Sequence, residues 1–149
     1  MTAAPPRALQ ERLRDTRARL DGDVDLWVAT SHPRDGVHLI PLSFLWDGTA
    51  FLISTPYASV TARNLRADGR VRLSLGPTRD VVVVEGAAEP VEDLDVGVGD
   101  AFAERTGFDP RKEDDRYQYF RIVPRRIQAW REANELRGRD LMRDGRWLG

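Results

Sequence analysis

Hydrophobic and polar residues alternate along most of the chain, and this period-two pattern predicts a protein built mainly of β-strands. Five alternating or apolar runs, separated by turn residues, occupy residues 26–31, 37–46, 49–55, 70–76 and 81–91. A sixth run occupies residues 117–132. In it, alternate residues from Tyr117 to Val123 share one face, and Pro124 makes a bend or marks an edge.

Short turns join these runs. The sequence HPRDG at 32–36 predicts a hairpin between the first two runs, and PTRD at 77–80 returns the fourth run into the fifth. Asp47-Gly48 predicts a second hairpin, because both residues of this pair tolerate positive φ. Pro56 ends the third run, since it cannot donate a backbone hydrogen bond.

Helical patterns occur in three places. Leu9, Leu13 and Leu20 lie near one stripe and predict an amphipathic helix over about residues 7–20, ended by Gly22. A second helix is predicted over 59–67. A third includes the sequence AFAERTGF and lies in the acidic segment, residues 92–115, which carries nine acids against three bases. A solvated helix face is the simplest explanation of those charges.

These elements predict one domain over residues 1–149. Antiparallel strands joined by short turns, with one inserted helix, favour a closed or nearly closed β-barrel with flanking helices. The barrel occupies about 24–131, after the N-terminal helix, and a C-terminal tail follows over 132–149.

Composition narrows the functional classes. The chain has 23 basic and 24 acidic residues, a net charge of −1 and a pI near 6.1, so no overall field attracts a polyanion. A small nucleic-acid-binding barrel would need a basic groove with exposed aromatic residues, and the acidic segment opposes it. The chain has no cysteine and no apolar run long enough for a bilayer, so we expect a cytoplasmic protein without a disulfide framework.

Familiar catalytic motifs are missing from the sequence. It contains no Walker loop, no GxGxxG and no GxSxG. His32 and His38 lie in or beside a hairpin turn without a partner at metal-ligand spacing, and they are interpreted as ordinary strand or surface residues. An enzyme of this kind would have to take its reactive group from a cofactor.

The start of the second predicted helix offers a place for an anion. With Ser59 as N-cap, the backbone N–H groups that follow point out of the helix, where the helix dipole also favours negative charge. Ser59 and Thr61 add hydroxyl groups, and Arg63 adds a forked cation. The alternative is an ordinary serine cap with a solvated arginine, because such caps are frequent.

Two segments carry a more specific signal. The sequences HLIPLSFLWDGTAFLISTPYASVTARNLRADGRVRLSL and VVVVEGAAE resemble the pyridoxamine 5′-phosphate oxidase-like, flavin-binding split-barrel superfamily, including its flavin and deazaflavin oxidoreductases common in actinobacteria. The resemblance extends over roughly residues 24–131 and implies a Greek-key-like split barrel. Its most specific element is a strand that ends in Thr, followed after a four-residue step by Ser and a helix. The positions that match this element are Thr55, Ser59, Thr61, Asn64 and Leu65.

The resemblance implies a bound cofactor, either FMN or the deazaflavin coenzyme F-420. Its ring would lie along 41–45, with the backbone near Leu42, Ser43 and Phe44 at the polar edge. Ser54 and Thr55 would lie beside the ribityl chain. The phosphate would contact Ser59, Thr61, Arg63 and Asn64. Many members of the superfamily have Arg or Lys where this chain has Val60 and Thr61.

The resemblance also implies a homodimer with the cofactor between subunits. Trp130 is a candidate to form one wall of that site, and Arg125 or Arg126 is a candidate to bind an anionic group. The competing interpretation is that Trp130 is a buried residue of the core. The arginine-rich stretch 121–146 could contact a polyanionic cofactor tail or be a solvated surface. The implied function is an oxidoreductase that transfers hydride to or from a small organic substrate. The alternative is a carrier or sensor that binds the cofactor without turnover.

Overall fold

Eight β-strands and three α-helices make up the structure, a computed structural model that describes residues 4–149. The expected mainly β, antiparallel split barrel is confirmed. The elements are α1 (Leu9–Gly22), β1 (Asp25–His32), β2 (Gly36–Trp46), β3 (Phe51–Pro56), α2 (Val60–Ala67), β4 (Arg70–Leu75), β5 (Val81–Val91), α3 (Val96–Thr106), β6 (Tyr117–Trp130), β7 (Asp140–Arg143) and β8 (Arg146–Trp147).

Six strands form a closed barrel in the order β3-β2-β1-β4-β5-β6, and β3 pairs with β6 to close it. Every pairing is antiparallel. The chain passes from β3 to β4 through α2, so β4 lies beside β1 rather than beside the strand that precedes it. This crossover gives the Greek-key-like order that the resemblance implies.

Alternate side chains of each strand point into the barrel and form one core. In β1, Leu26 and Val28 are buried while the residues between them face outward. The aromatic members are Phe44, Phe51 and Phe120, all fully buried. Pro124 lies inside β6 next to a register shift that faces Gly86, so the expected bend is a β-bulge within a continuous strand.

The predicted hairpin at Asp47-Gly48 is confirmed, because β2 and β3 pair antiparallel on either side of it. Of the two residues, Gly48 has the positive φ, of 95°. The carboxylate of Asp47 accepts hydrogen bonds from the backbone N–H groups of Thr49 and Ala50, at 2.8 and 2.7 Å. The side chain of Asp47 therefore shapes the loop between the strands.

The C-terminal residues are part of the sheet. Strand β7 pairs with β6 and then with β8, and Leu141 and Met142 are buried. The stretch predicted as a C-terminal tail, residues 132–149, therefore contains two short strands. Two apolar residues, Leu141 and Met142, are too few to predict a strand from the sequence. Strand β7 forms because β6 offers an exposed edge.

A buried charge network attaches both ends of the chain to the barrel. Arg7 donates from Nε and Nη2 to the two carboxylate oxygens of Glu135, at 3.0 and 2.8 Å. Arg12 donates to the carbonyl oxygens of Ala129 and Glu135, at 3.1 and 3.0 Å. Helix α1 begins at Leu9 and not at residue 7, and Arg7 precedes it as part of this network.

Acid should weaken this network. The pKa of Glu135 is lowered to about 2, first by the hydrogen bond from Arg7. A lowered folded-state pKa gives stability that is complete above the unfolded-state value and is lost as pH falls. We expect the free energy of unfolding to fall by about 3 kcal/mol from this group between about pH 5 and pH 2. Glu135→Gln should lose about 3 kcal/mol at pH 7 and flatten that slope. Urea unfolding at several pH values measures both effects.

Glu132 supplies the matched control, because its side chain is half exposed and pairs with the exposed Arg79. Glu132→Gln should change the stability by less than about 0.5 kcal/mol. Equal losses in the two variants would contradict the assigned role of Glu135.

Candidate functional site

The site begins where β2 and β3 separate. Strand β2 pairs with β1 over Gly36–Ser43, but it pairs with β3 only over Phe44–Trp46. Beyond Ile53, β3 continues to Pro56 beside β6 alone. One edge of β2 is therefore open next to the end of β3, and this opening is the split of the barrel.

The open edge presents main-chain groups of particular residues. The N–H of Phe44 donates to the carbonyl oxygen of Val24, and hydrogen-bonded positions alternate along an antiparallel pair. The main-chain groups of Ser43 and Pro41 therefore face away from β1, toward the split. Pro41 has no N–H, so its place on an open edge costs no ladder bond.

A groove of about 430 Å³ occupies the split. Its lining includes Leu42, Ser43 and Ser54, which the resemblance placed near a cofactor, together with Asp25, Pro41, Pro56, Phe102, Phe108 and Tyr117. Strand β2 supplies one wall and the end of β3 the other. Helix α3 packs against β2 and brings Phe102 to the groove.

Aromatic and polar groups have distinct places in this groove. The rings of Phe108 and Tyr117 lie 5.4 Å apart and form an aromatic wall. The hydroxyl of Ser43 donates to Asp25 at 2.6 Å. The hydroxyl of Ser54 is buried and has no hydrogen-bond partner among the described residues. A buried polar atom without a partner is costly, which makes Ser54 Oγ a candidate contact for a ligand or water.

Nearby, burial raises the pKa of the Tyr119 hydroxyl. This hydroxyl also has no hydrogen-bond partner within residues 4–149, and the ring packs edge-on against Phe102. Tyr119 therefore stays neutral and supports Phe102 from behind the groove.

Helix α2 begins directly after β3. The hydroxyl of Ser59 accepts from the backbone N–H of Ala62 at 3.1 Å, which confirms the predicted N-cap, and it also bonds the hydroxyl of Thr55 at 3.0 Å. In the described part of the chain, the N–H groups of Val60 and Thr61 donate no hydrogen bond. Both donors lie at the positive end of the helix dipole. Val60 is partly exposed, whereas Thr61 is fully buried, so the N–H of Val60 is the one open to an anion.

Three of the residues predicted to contact the phosphate differ in burial and in their hydrogen-bond partners. Asn64 is buried and donates from Nδ2 to Thr30 Oγ1 at 3.1 Å. Thr61 is fully buried, with its hydroxyl unpaired among the described residues. Arg63 is exposed and its guanidinium pairs with Asp35 at 3.2 Å. Arg63 is thus accessible, while Asn64 holds α2 against β1.

Sequence reasoning missed a cationic cluster beside this helix. The guanidinium carbons of Arg66 and Arg116 lie 4.0 and 3.9 Å from the centre of the Tyr57 ring. The Tyr57 N–H also donates to the carbonyl oxygen of Arg116 at 2.9 Å. Arg116 adjoins the site only because the register sets Tyr117 opposite Pro56, and a sequence alone does not reveal that register.

Trp130 and the adjacent arginines lie on the other half of β6. Trp130 pairs with Val81, is half-buried and has the Arg139 guanidinium over its ring at 5.9 Å. Arg125 and Arg126 lie at the β-bulge, whereas the groove adjoins the start of β6 at Tyr117. Within one chain the structure does not bring these three residues to the groove.

Comparison with known proteins identifies the family of this barrel. A family model described as pyridoxamine 5′-phosphate oxidase matches residues 15–131. The chain belongs to this family. The match extends from α1 through the whole barrel to the end of β6, and it includes both walls of the groove. A search of curated proteins found no relative of the chain.

Solved structures similar to this chain include proteins named after different cofactors. An F-420 reductase has 18% identity and a TM-score of 0.63, over 74% of this chain and 94% of that chain. An FAD-binding protein from Mesorhizobium loti has 20% identity and a TM-score of 0.59, over 77% of this chain and 88% of that one. A heme storage protein from Vibrio cholerae has 15% identity and a TM-score of 0.60, over 83% and 95%. At these identities, the likeness establishes the fold.

The described part of the chain includes no helix with the length and apolar character needed to cross a membrane.

Different substitutions on α2 should separate its structural residues from its accessible ones. Asn64→Ala removes a buried hydrogen bond and should lower the free energy of unfolding by about 1–3 kcal/mol. Arg63→Ala removes an exposed ion pair and should change it by less than about 0.5 kcal/mol. Urea denaturation monitored by tryptophan fluorescence measures both. A larger loss for Arg63→Ala than for Asn64→Ala would show that this assignment is wrong.

Proposed function

We propose that this member of the family binds FMN or coenzyme F-420 in the groove and acts as an oxidoreductase on a small organic substrate. The observation that carries the proposal is the split between β2 and β3. It combines an open main-chain edge, an aromatic wall and the buried, unpaired hydroxyl of Ser54 in one groove.

The groove has the chemistry that a flat heterocycle needs. Main-chain groups at Ser43 and Pro41 can meet the polar edge of a ring, and Phe108 and Tyr117 can cover part of its apolar surface. Ser54 Oγ would gain the hydrogen-bond partner that it lacks in the protein alone. Together these features fit a flavin or deazaflavin ring and the start of its side chain.

Cationic groups and a free N–H group near the start of α2 fit the phosphate of such a cofactor. The free and partly exposed N–H of Val60, at the start of α2, favours an anion. Arg66 and Arg116 lie beside Tyr57, at the loop between β3 and that helix. They supply positive charge that the chain lacks at Val60 and Thr61. This arrangement favours a cofactor with at least one phosphate.

The bound cofactor would supply hydride chemistry, and the residues of the chain would bind, orient and exclude water. Asp25 lines the groove, and Oδ1 of its carboxylate accepts a hydrogen bond from Ser43. The aromatic pair Phe108 and Tyr117 limits the access of solvent from the α3 side. Asp25 is the one carboxylate among the lining residues, and a lining this poor in acids and bases also suits the alternative, a carrier that binds the cofactor without turnover.

We infer that two copies of the chain associate through the outer face of β1 and β2. Trp27, Val37 and Leu39 form an apolar face here, with exposed fractions of 49%, 80% and 57%. Large exposed apolar residues on neighbouring strands are typical of an interface. The groove opens at the edge of this apolar face, because Pro41 pairs with Trp27. A second copy would therefore help to enclose the groove.

Titration with separate cofactors tests the proposal. Purified protein should bind FMN or coenzyme F-420 with a Kd of about 10 μM or tighter, seen as a change in cofactor fluorescence and absorption. FAD and hemin are titrated in parallel. Failure of both FMN and F-420 to bind at this level, or preferential binding of hemin, would overturn the proposal.

Turnover separates the enzyme from the carrier. The bound cofactor is reduced without oxygen, and menadione is added as a small conjugated acceptor. An enzyme should reoxidise the cofactor with saturation in menadione and faster than free reduced cofactor does. A rate equal to that of the free cofactor would favour the carrier.

Ser54→Ala tests the groove without damage to the fold. The substitution removes a hydroxyl that has no partner within the described residues, so stability should stay within about 0.5 kcal/mol of the parent protein. Affinity for the cofactor should fall about fivefold or more, because the ligand loses a hydrogen bond. Ser74→Ala, on β4 and outside the groove lining, is the control. Unchanged affinity in Ser54→Ala would remove Ser54 from the site.

A further inference from the structure

Two arginines stack on the ring of Tyr57, at the turn between β3 and α2. The guanidinium carbons of Arg66 and Arg116 lie 4.0 and 3.9 Å from the ring centre. A ring face has room for one guanidinium at this distance, so the two arginines occupy opposite faces. We call this arrangement the arginine–tyrosine stack. Its ring separates two cations, one on α2 and one directly before β6.

Hydrogen bonds of the main chain hold the stack as well. Arg66 donates from Nη2 to the carbonyl oxygen of Tyr57 at 2.8 Å. The N–H of Tyr57 donates to the carbonyl oxygen of Arg116 at 2.9 Å. A guanidinium over an aromatic ring keeps further N–H donors in its own plane. Both exposed arginines are thus held in place while donors remain for a ligand, which reduces the entropy lost when an anion binds.

Carboxylates do little to neutralise the stack. Within residues 4–149, Arg66 forms no ion pair. Arg116 has Glu92 at 3.9 Å, and both side chains are exposed, so this pair contributes little. Arg63, on the same exposed face of α2, pairs instead with Asp35 at 3.2 Å. The uncompensated positive charge of this region therefore lies at the stack.

The stack lies between the two parts of the proposed cofactor site. Pro56 and Tyr117 adjoin Tyr57 and Arg116 in the sequence, and both line the groove. Val60, whose N–H is open to an anion, follows Tyr57 by three residues, a chain length of at most about 11 Å. A cofactor with its ring in the groove and its phosphate at Val60 therefore passes beside the stack.

A single phosphate does not use both cations of the stack. It can contact the guanidinium on one face of Tyr57, and the ring then separates it from the other guanidinium. One cation is therefore left for a second anionic group of the ligand. The side chain of FMN ends in one phosphate. Coenzyme F-420 carries, beyond its phosphate, a lactyl-glutamyl tail with several carboxylates.

We propose that the arginine–tyrosine stack selects a cofactor with an anionic tail beyond its first phosphate, and hence coenzyme F-420 in preference to FMN. Carboxylates suit the stack, because a guanidinium binds a carboxylate through two parallel N–H···O bonds. The inference rests on the proposed function, since it concerns the same cofactor. It adds which of the two cofactors is bound and which residues distinguish them.

Cofactors that differ only in the tail test this selection. The matched pair is coenzyme F-420 and its 5′-phosphate fragment, which keeps the ring, the ribityl chain and the phosphate but lacks the lactyl-glutamyl tail. In fluorescence titrations, the parent protein should bind F-420 at least about tenfold more tightly than the fragment. Arg66→Gln combined with Arg116→Gln should lower that ratio to about twofold or less. Added salt should lower it in the parent protein too, because the stack is exposed.

A variant with the same change of charge is the control. Arg14→Gln combined with Arg79→Gln removes two exposed arginines that lie outside the groove lining, and it should keep the parental ratio. Urea denaturation checks that both double variants are folded. The single variant Arg116→Gln leaves the hydrogen bond of Arg66 to the main chain in place, and it should lower the ratio as well. The ratio measured on the parent protein needs no variant.

The outcomes separate this inference from the proposed function. Equal affinity of the parent protein for F-420 and the fragment would overturn the selection and leave the proposed function in place. A tenfold ratio that survives loss of both Arg66 and Arg116 would also overturn it. FAD and FMN are titrated in parallel, and a preference for FAD over FMN without any effect of the F-420 tail would assign the stack to a diphosphate instead. Binding of neither F-420 nor FMN would overturn the proposed function and this inference with it.

Discussion

Strand β3 pairs with β6 along its whole length but with β2 along only part of it, and this difference determines where the barrel closes and where it opens. A strand in a closed barrel needs a hydrogen-bonded neighbour on each side, and β3 has two along only part of its length. Its first residues, Phe51 to Ile53, lie between β2 and β6. Its last residues keep β6 and leave β2. The same six residues therefore complete the barrel at one end and create a groove at the other.

Several features keep that split from closing. Pro41 cannot donate from the open edge of β2, and Pro56 cannot donate from the end of β3, so the ladder between the two strands cannot extend through these positions. Helix α2 then begins within four residues, capped by Ser59 and tied to β1 through Asn64 and Thr30. A buried network around Glu135 secures α1 and the last strands at another part of the barrel. The groove thus lies between fixed elements rather than in a flexible loop.

The local pattern of the sequence predicted six of the strands, α2 and its cap. The family resemblance, not the local pattern, pointed to Leu42, Ser43 and Ser54, which line the groove. Alternation, Pro56 and Ser59 act within a few residues of themselves. The missed features depend on long-range pairing. Arg116 reaches Tyr57 only through the register of β6 with β3, and β7 is a strand only because β6 offers an edge. Glu135 is paired with Arg7, which lies 128 residues away in the sequence. No local sequence pattern predicts a contact over that distance.

The motif that identifies the family has more to do with folding than with chemistry. Thr55, Thr61 and Asn64 are almost fully buried; Asn64 bonds Thr30 and Thr55 bonds Ser59. These contacts fix α2 against the barrel and do not depend on which ligand the groove holds. The identity of a ligand depends instead on the groups that it can contact. In the proposed site the exposed groups of this kind are the aromatic wall of Phe108 and Tyr117 and the arginines beside Tyr57.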